Sequence, residues 1–305
     1  MKIKVTSLYQ LLYNQSLNVF LLILMFTLLL APSLLSNLSF AQSLLKTKKS
    51  DSGNTLTCKQ ITIGGHPSYP PIEWVVHNQV EGAGVNIAKA IFNKLNIAVT
   101  TKNLGSIPAM LDALQNNPRV NMTTSIFYAA PRTQYLHYIQ PAYAYDELAV
   151  FTRKGETFSF HSWHDLKNKK GASTLGSTTG NPELDQILND KLQVQPIQRI
   201  NLAFHKLAKY RIDYVIAPKF TGIIEIKKEF SKTIIALDKP FSAAGIYFAF
   251  AKRAGCKQLY QRFSQELTQM IQQGKIKQLI NQAYASYAYQ DRLGIITKEY
   301  DESEK

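Results

Sequence analysis

The stretch that decides the fold class is residues 57–101, TCKQITIGGHPSYPPIEWVVHNQVEGAGVNIAKAIFNKLNIAVTT. Residues 57–64 fit a β-strand, and three prolines then predict a loop: Pro67, Pro70 and Pro71. The next apolar side chains fall at helical spacing, and residues 97–101 fit a second strand. The apolar positions are Val85, Ala88, Ile91, Phe92 and Leu95. This order of elements predicts a βαβ unit, in which the two strands pair in parallel.

The alternation of strands and helices continues along the chain without any repetition of the sequence itself. Such alternation is typical of parallel sheets that are covered by helices, so the fold class is α/β. Strands are predicted over 120–125, 147–152, 172–175, 214–217 and 247–251, and helices over 109–115, 182–189, 202–210, 258–273 and 276–283.

The composition limits the class of protein. Of 305 residues, 45% are hydrophobic and 18% are charged, so the chain can bury the core of one large or two medium domains. A disordered, collagen-like or small disulfide-rich protein is excluded. The formal net charge of +14 suits an anionic partner such as nucleic acid, an acidic lipid or a carboxylate. Because the lysines are scattered without interleaved aromatic residues, a solvated basic surface is favoured over nucleic-acid binding.

The amino-terminal segment has the pattern of a cleaved secretory signal. Lys2 and Lys4 precede an apolar run over 19–30, and a small-residue site ends at Ala41. An uncleaved anchor is the alternative, but a membrane-spanning helix needs about 20 apolar residues and this run is shorter. We expect a signal peptide over 1–41, a disordered leader over 42–55, and a mature periplasmic protein with a net charge of 14 − 2 = +12.

Two cysteines, Cys58 and Cys256, are too few for a zinc cluster and lack CxxC spacing. In an oxidising compartment their even number favours a disulfide, with two free buried thiols as the alternative. His161 and His164 flank Trp163 without a third metal ligand nearby, which is more typical of a solvated turn. We expect neither a metal ion nor a cofactor.

Six motifs, taken in their order and spacing, resemble those of the extracellular solute-binding proteins that serve polar-amino-acid ABC transporters. They are ITIGGHPSYPPIEW (61–74), EGAGVNIAKAI (81–91), TTSIFYAAPR (123–132), HDLKNKKGASTLGSTTG (164–180), RIDYVIAP (211–218) and GKIKQLI (274–280). The resemblance covers residues 56–287 and implies two lobes, each a mostly parallel sheet flanked by helices, joined by a two-strand hinge. The implied parts are lobe 1 over 56–143 and 244–288, lobe 2 over 144–243, and a charged tail over 289–305.

Open α/β sheets bind ligands at the carboxyl ends of their strands, which makes three loops the candidate site. They are residues 66–74, 125–132 and 176–181. Arg132 can bind a carboxylate with both arms of its guanidinium group, as the arginine of this motif does in the resembling family; a surface arginine is the alternative. Ser177 and Thr178 precede a predicted helix, whose N-terminus can bind an anion or be capped by these hydroxyls.

Aromatic and hydroxyl side chains supply the other candidates. The family contacts its ligand at the positions of Thr124 and Ser125, although both residues also fit the end of a strand. Tyr69 would offer a flat face to the ligand, with Trp74 behind it in the core. Two tyrosines lie where the chain is expected to cross between the lobes, where they line the cleft or only pack the hinge: Tyr143 and Tyr145.

The sequence also departs from the family. Pro218 stands where an aspartate usually pairs with the ligand ammonium, His66 stands where the first loop often has an acid, and Phe127 replaces a polar residue. Asn86 and Asn121 stand where acids are common. An α-ammonium would stay unpaired in the cleft unless another acid substitutes, and a buried unpaired charge is costly. The candidate substitutes are Glu147, Glu183 and Asp185. We therefore expect a small carboxylate-bearing ligand, an amino acid or a related compound. Whether a free α-amino acid binds stays open, and the loss of acids favours a carboxylate that is not one.

Three functions are consistent with these residues. The first is a monomeric receptor whose lobes close on a small carboxylate and which an ABC permease or a membrane sensor recognises. The second is an enzyme, since some proteins that resemble this family are dehydratases of cyclic carboxylates; its general acid would be Glu183 or His66. The third is binding to an anionic surface or to nucleic acid. GxSxG, HExxH, Walker and GxGxxG motifs are absent from the sequence.

Overall fold

The computed structural model describes residues 58–67 and 69–296. The expected signal peptide and leader lie outside the described residues. Within the described part of the chain, twelve strands and seven α-helices form a mixed α/β fold. No helix in this part is long and apolar enough to cross a membrane.

The first lobe is built on three parallel strands. They are β1 (Gln60–Gly65), β4 (Ala98–Asn103) and β5 (Met122–Phe127). Strand β1 pairs in parallel with β4 from Gln60↔Ala98 to Gly65↔Asn103 and with β5 at Ile63↔Met122. Helix α1 (Ala83–Lys94) connects β1 to β4, and α2 (Ile107–Asn116) connects β4 to β5. The predicted βαβ unit is therefore confirmed.

The second lobe repeats this arrangement with different elements. Strands β8 (Lys170–Thr174), β9 (Gln193–Ile197) and β10 (Tyr214–Pro218) are parallel, with β8 in the centre. Helix α3 (Pro182–Asp190) connects β8 to β9, and α4 (Ile200–Ala208) connects β9 to β10. A short helix, α5 (Lys219–Glu225), follows β10 directly, and β11 (Ile234–Ala236) pairs at the edge.

Two long strands connect the lobes. They are β7 (Ala144–Arg153) and β12 (Ser242–Ala251). The two strands pair antiparallel where residues 144–148 meet residues 242–246; β7 then continues along β10 and β12 continues along β5. The two lobes are therefore joined by a two-strand hinge. The lobe boundaries expected at 143/144 and 243/244 stay predictions.

Smaller strands and two carboxyl-terminal helices complete the first lobe. They are β2 (Trp74–Val76), β3 (Gln79–Glu81), β6 (Leu136–Tyr138), α6 (Lys257–Gln272) and α7 (Lys275–Arg292). Helix α7 runs past residue 289, where the charged tail was expected to start, and Ile296 beyond it is buried. The chain thus stays packed on the fold for several residues more than its charge pattern indicates.

The core of the first lobe forms where the predicted apolar stripe of α1 is buried. Ile91 and Phe92 are fully buried, and the Phe92 ring lies 5.0 Å from that of Phe263 and 6.3 Å from that of Phe250. Trp74 is buried as expected, and its indole Nε1 donates a hydrogen bond to Gln290 in α7. Burial of these rings holds α1 between the sheet and the two carboxyl-terminal helices.

Cys58 and Cys256 are joined by a disulfide, and their sequence separation is 198. The bond connects a residue two positions before β1 to the residue that immediately precedes α6. It lies at the amino end of β1, whereas the candidate loops follow the carboxyl ends of the strands.

Candidate functional site

The loops at the carboxyl ends of the strands of both lobes enclose a cavity of about 60 Å³. All three candidate loops contribute to it. The candidate residues that line the cavity are His66, Tyr69, Ser125, Phe127, Arg132, Ser177, Thr178 and Pro218. Apolar side chains complete the walls, namely Ile107, Met110, Ile126 and Ile200, together with Thr174, Gly176 and Thr221.

Arg132 lies in a short 3-10 helix after β5 and is only 9% exposed. Its Nη2 atom donates a hydrogen bond of 2.7 Å to the carbonyl oxygen of Gly176 in the other lobe. No carboxylate of the described residues lies within ion-pair distance of Arg132. The guanidinium group is therefore a buried cation that faces the cavity and has a neutral carbonyl as its hydrogen-bond acceptor across the cleft.

Residues 176–179 form a loop in which several polar groups, expected to bind an anion, make hydrogen bonds within the chain. The Ser177 hydroxyl donates to the Thr174 carbonyl at 2.6 Å, and the Thr179 amide donates to Asp185 Oδ1 at 2.6 Å. Helix α3 is capped by Asn181, which accepts from the amides of the second and third helical residues. Asn181, and not Ser177 or Thr178, thus caps the helix, and anion binding by this loop stays a prediction.

Two hydroxyl groups remain available at the cavity. Thr178 Oγ1 is buried and has no hydrogen-bond partner among the described residues. Ser125 Oγ is likewise buried without a partner in hydrogen-bond geometry, although it is near enough to Glu73 to favour the charged form of that carboxyl. Both oxygens line or adjoin the space that Arg132 faces, so both can bind a polar group of a ligand.

Three candidate residues lie elsewhere. The Thr124 hydroxyl donates to Glu73 Oε2 at 2.8 Å, and its side chain does not line the cavity. Tyr143 is buried, donates its hydroxyl to the Thr124 carbonyl at 2.7 Å and packs on Phe248, so it packs the hinge. Tyr145 is 77% exposed and lies outside the cavity. Hydrogen bonds between residues distant in the sequence, which the sequence pattern does not reveal, account for the first two placements.

Glu73 is a buried acid beside the cavity that was not among the residues predicted from the sequence. It is 0% exposed and accepts hydrogen bonds from the His66 amide at 2.7 Å and from the Thr124 hydroxyl at 2.8 Å. Burial raises the pKa of Glu73 to about 7, and the same hydrogen bonds act in the opposite direction. Its position inside the apolar run PIEWVV was the available signal, because an acid there must be buried with partners.

His66 and Asp146 have shifted pKa values beside the cavity. Burial lowers the pKa of His66 to about 4, so the imidazole is neutral near pH 7. Asp146 accepts the Tyr69 hydroxyl at 3.0 Å, and burial raises its pKa to about 6. Glu183, the other candidate for a general acid, is exposed and does not line the cavity. Neither His66 nor Glu183 is thus placed to act as a general acid on a ligand in this cavity at neutral pH.

The acids considered as partners for a ligand ammonium are also outside this cavity. Glu147 pairs with Lys219 at 2.5 Å, and Asp185 holds the Thr179 amide. Asn86 is exposed on α1, and Asn121 accepts the Thr62 amide at 2.7 Å. Among the described residues that line the cavity there is no aspartate or glutamate. The cavity is therefore cationic.

His161 and His164 lie at a capped turn. The Asp165 carboxylate accepts the amides of His161 and Ser162, and Ser162 caps the following 3-10 helix. Both imidazoles are exposed. In the described part of the chain, no group of three or more His, Cys, Asp or Glu side chains is arranged to hold a metal ion.

Exchange of Glu73 for glutamine is expected to change how stability depends on pH. Since the pKa of Glu73 is about 7 in the fold against a usual 4.5, the folded state holds this proton more tightly, and the wild-type protein loses stability as the pH rises between these values. The loss amounts to up to roughly 3 kcal/mol. The free energy of unfolding of Glu73→Gln relative to wild type should therefore increase over this window, as measured by denaturation at several pH values.

The matched control is His66→Gln. The pKa of His66 is about 4 in the fold against a usual 6.5, so protonation of the unfolded state costs the wild type stability as the pH falls. His66→Gln should therefore gain stability relative to wild type towards low pH, which is the opposite sign. A parallel pH dependence for wild type and Glu73→Gln would contradict the assignment of Glu73.

Two α/β lobes that enclose a cavity and are joined by two strands define a ligand-binding protein of the two-lobed class. The family model of the bacterial extracellular solute-binding proteins, family 3, matches residues 61–286. The chain belongs to this family. No curated protein matches it.

Solved structures with the same fold include an arginine-binding protein, a sensor domain and a ligand-binding core. A mutant of the arginine-binding protein ArgBP from T. maritima is 19% identical, with 74% of this chain and 96% of that chain covered and a TM-score of 0.62. A histidine kinase sensor domain with similarity to periplasmic binding proteins is 21% identical, with coverages of 73% and 95% and a TM-score of 0.63. The GluR0 ligand-binding core from Nostoc punctiforme, solved with L-glutamate, is 17% identical, with coverages of 73% and 99% and a TM-score of 0.60.

Proposed function

We propose that this protein is a periplasmic receptor that captures a small carboxylate between its lobes for uptake by an ABC transporter or for sensing. The observation that carries the proposal is Arg132, a buried guanidinium group that faces the cavity without an acidic partner among the described residues. A buried cation favours an anion strongly, and a guanidinium group fits a carboxylate with two parallel hydrogen bonds.

The cavity favours a carboxylate that has no ammonium group on the adjacent carbon. The solved relatives are described as bound to arginine, glutamine or glutamate. Here Pro218 replaces the family's aspartate, and the described residues that line the cavity include no acid. Thr178 and Ser125 can instead bind a neutral hydroxyl, carbonyl or amide group, which makes a 2-hydroxy or 2-oxo carboxylate a better fit than an α-amino acid.

Binding would replace one contact between the lobes with another. Arg132 donates to the Gly176 carbonyl across the cleft, and a carboxylate is a stronger acceptor for the same guanidinium group. A ligand that contacts Arg132 from one lobe and Thr178 from the other would stabilise the closed arrangement about the hinge strands. A permease or a membrane sensor would then recognise the closed form. The similarity to an arginine-binding protein supports uptake, and the similarity to a histidine kinase sensor domain supports sensing.

Calorimetry with a matched pair of ligands tests the proposal. L-lactate and L-alanine have the same number of non-hydrogen atoms and differ in a hydroxyl or an ammonium group next to the carboxylate. We expect lactate to bind and alanine to bind at least about tenfold more weakly, because its ammonium group is buried without an acid. Equal affinities for the two, or binding of alanine alone, would refute the proposed ligand class.

A further inference from the structure

A second cavity adjoins the one that Arg132 faces. Its volume is about 630 Å³, roughly ten times that of the first cavity. It extends from the loop after β5 to helix α3 and strand β9 of the second lobe. We call the cavity lined by His66 and Tyr69 the first chamber, and the cavity lined by Asp185 and Leu188 the second chamber.

The two chambers share a wall. Arg132, Gly176 and Thr178 line both of them, as do Phe127 and Pro218. The hydrogen bond from Arg132 to the Gly176 carbonyl lies across this shared wall and links the two lobes. A ligand carboxylate that takes the place of the Gly176 carbonyl on Arg132 would therefore lie between the chambers, with access to both.

The size of the first chamber limits what it can hold alone. A water-sized group needs roughly 10 to 15 Å³ of cavity volume. A chamber of about 60 Å³ therefore holds about four to six groups of that size. This is enough for a carboxylate and its two nearest carbons with one small substituent. Any larger ligand anchored on Arg132 has to continue into the second chamber.

The second chamber supplies the acid that the first one lacks. Among the described residues that line either chamber, Asp185 is the one aspartate or glutamate. Its Oδ1 atom accepts the Thr179 amide, and a carboxylate has further acceptor positions for a second donor. Leu148, Leu188 and Ile216 also line the second chamber, and they give it apolar surface suited to an apolar side chain.

We infer that the two chambers form one binding site for a molecule that carries its carboxylate and its cationic group at opposite ends, and that this ligand is a dipeptide. The inference rests on the proposed function, because it keeps the carboxylate on Arg132. The C-terminal residue occupies the first chamber, where its amide nitrogen replaces the ammonium of a free amino acid. The N-terminal ammonium lies at Asp185, and the side chain of that residue contacts the apolar walls.

Calorimetry with L-leucyl-L-alanine and its N-acetyl derivative tests the position of the ammonium group. We expect the free dipeptide to bind more tightly than lactate. Asp185→Asn should weaken the free dipeptide by about tenfold, because the ion pair is lost while the side-chain carbonyl of the variant can still accept the Thr179 amide. The acetylated dipeptide should be insensitive to this change. Glu183→Gln, on the exposed side of the same helix, is the matched control and should leave both ligands unaffected.

A second variant tests the chamber itself. Leu188→Trp adds bulk to the wall of the second chamber and should weaken the dipeptide but not lactate. If it weakens neither, or if Asp185→Asn weakens free and acetylated dipeptide equally, the two-chamber site is refuted. These results are separable from failure of the proposed function, in which lactate itself does not bind. Lactate binding that depends on Arg132, without any gain for the dipeptide, would overturn this inference alone.

Discussion

Exchange of both Cys58 and Cys256 for serine is expected to lower the free energy of unfolding by about 5 kcal/mol. The disulfide closes a loop of 198 residues, and a loop of this length restricts the unfolded chain more than it restricts the folded one. Folding of the variant therefore has a larger loss of conformational entropy to overcome. Denaturant titration of the purified mature protein measures the loss, and the melting temperature should fall by about 10 to 20 °C.

Reduction of the wild-type protein is the control for this effect. The wild type in reductant should lose the same stability, whereas the double serine variant should be insensitive to reductant. Because the disulfide lies at the amino end of β1 and the cavity at the carboxyl end, the variant should keep its affinity for lactate at a temperature where it is folded. A variant as stable as the oxidised wild type would contradict the expectation.

Exchange of Arg132 for alanine is expected to lower the affinity for lactate by about thirtyfold to several thousandfold, since the loss of one partner of a buried charge pair removes about 2 to 5 kcal/mol or more. The substitution also removes the hydrogen bond to Gly176, so the two lobes lose one contact in the absence of ligand. Calorimetry at several lactate concentrations measures the change.

Arg132→Lys tests whether carboxylate binding needs only the positive charge of Arg132 or also the planar geometry of its guanidinium group. It retains the positive charge but not the planar fork, and its affinity should fall between those of the wild type and the alanine variant. Circular dichroism of each variant shows whether the fold is kept. Unchanged lactate binding by a folded Arg132→Ala protein would show that another group binds the carboxylate.

The longer helices and strands could be predicted from the sequence, because the apolar residues of a buried face recur at the period of the helix or strand. The stripe from Val85 to Phe92 and the strands on either side of it are long enough for their pattern to be recognised. The same holds for α6, in which Leu259, Phe263 and Leu267 are buried. Alternation of these elements indicated the α/β class without knowledge of any contact.

Short elements could not be predicted, because contacts with distant residues stabilise them. Helix α5 has seven residues and contains Gly222, where a Cβ atom would lie 2.2 Å from the ring of Phe151 in β7. Glycine thus allows the helix to approach the sheet, which its propensity alone disfavours. Strands β2, β3, β6 and β11 have three residues each and were likewise not recognised.

The sequence indicated which loops form the candidate site, but not the contacts that their side chains make. Arg132, Ser177 and Thr178 lie at the cavity as their loops indicated. The start of α3 at Asn181 and Pro182 carried its own signal, since asparagine caps helices and proline favours the first helical position. Glu73 was not recognised, because its partners Thr124 and His66 come from other elements and only the folded chain brings them together.

The position of β12 between β5 and β7 determines which lobe can be completed first during synthesis. All strands of the second lobe, from β7 to β11, lie within residues 144–236. The first lobe contains the earliest strands of the chain, and β5 can pair with β1 early, yet its second neighbour is present only when residues 246–250 are available, and the disulfide requires Cys256. The parallel strands of the second lobe are thus complete before the sheet of the first lobe, in which one edge of β5 stays unpaired until residues 246–250 have been made.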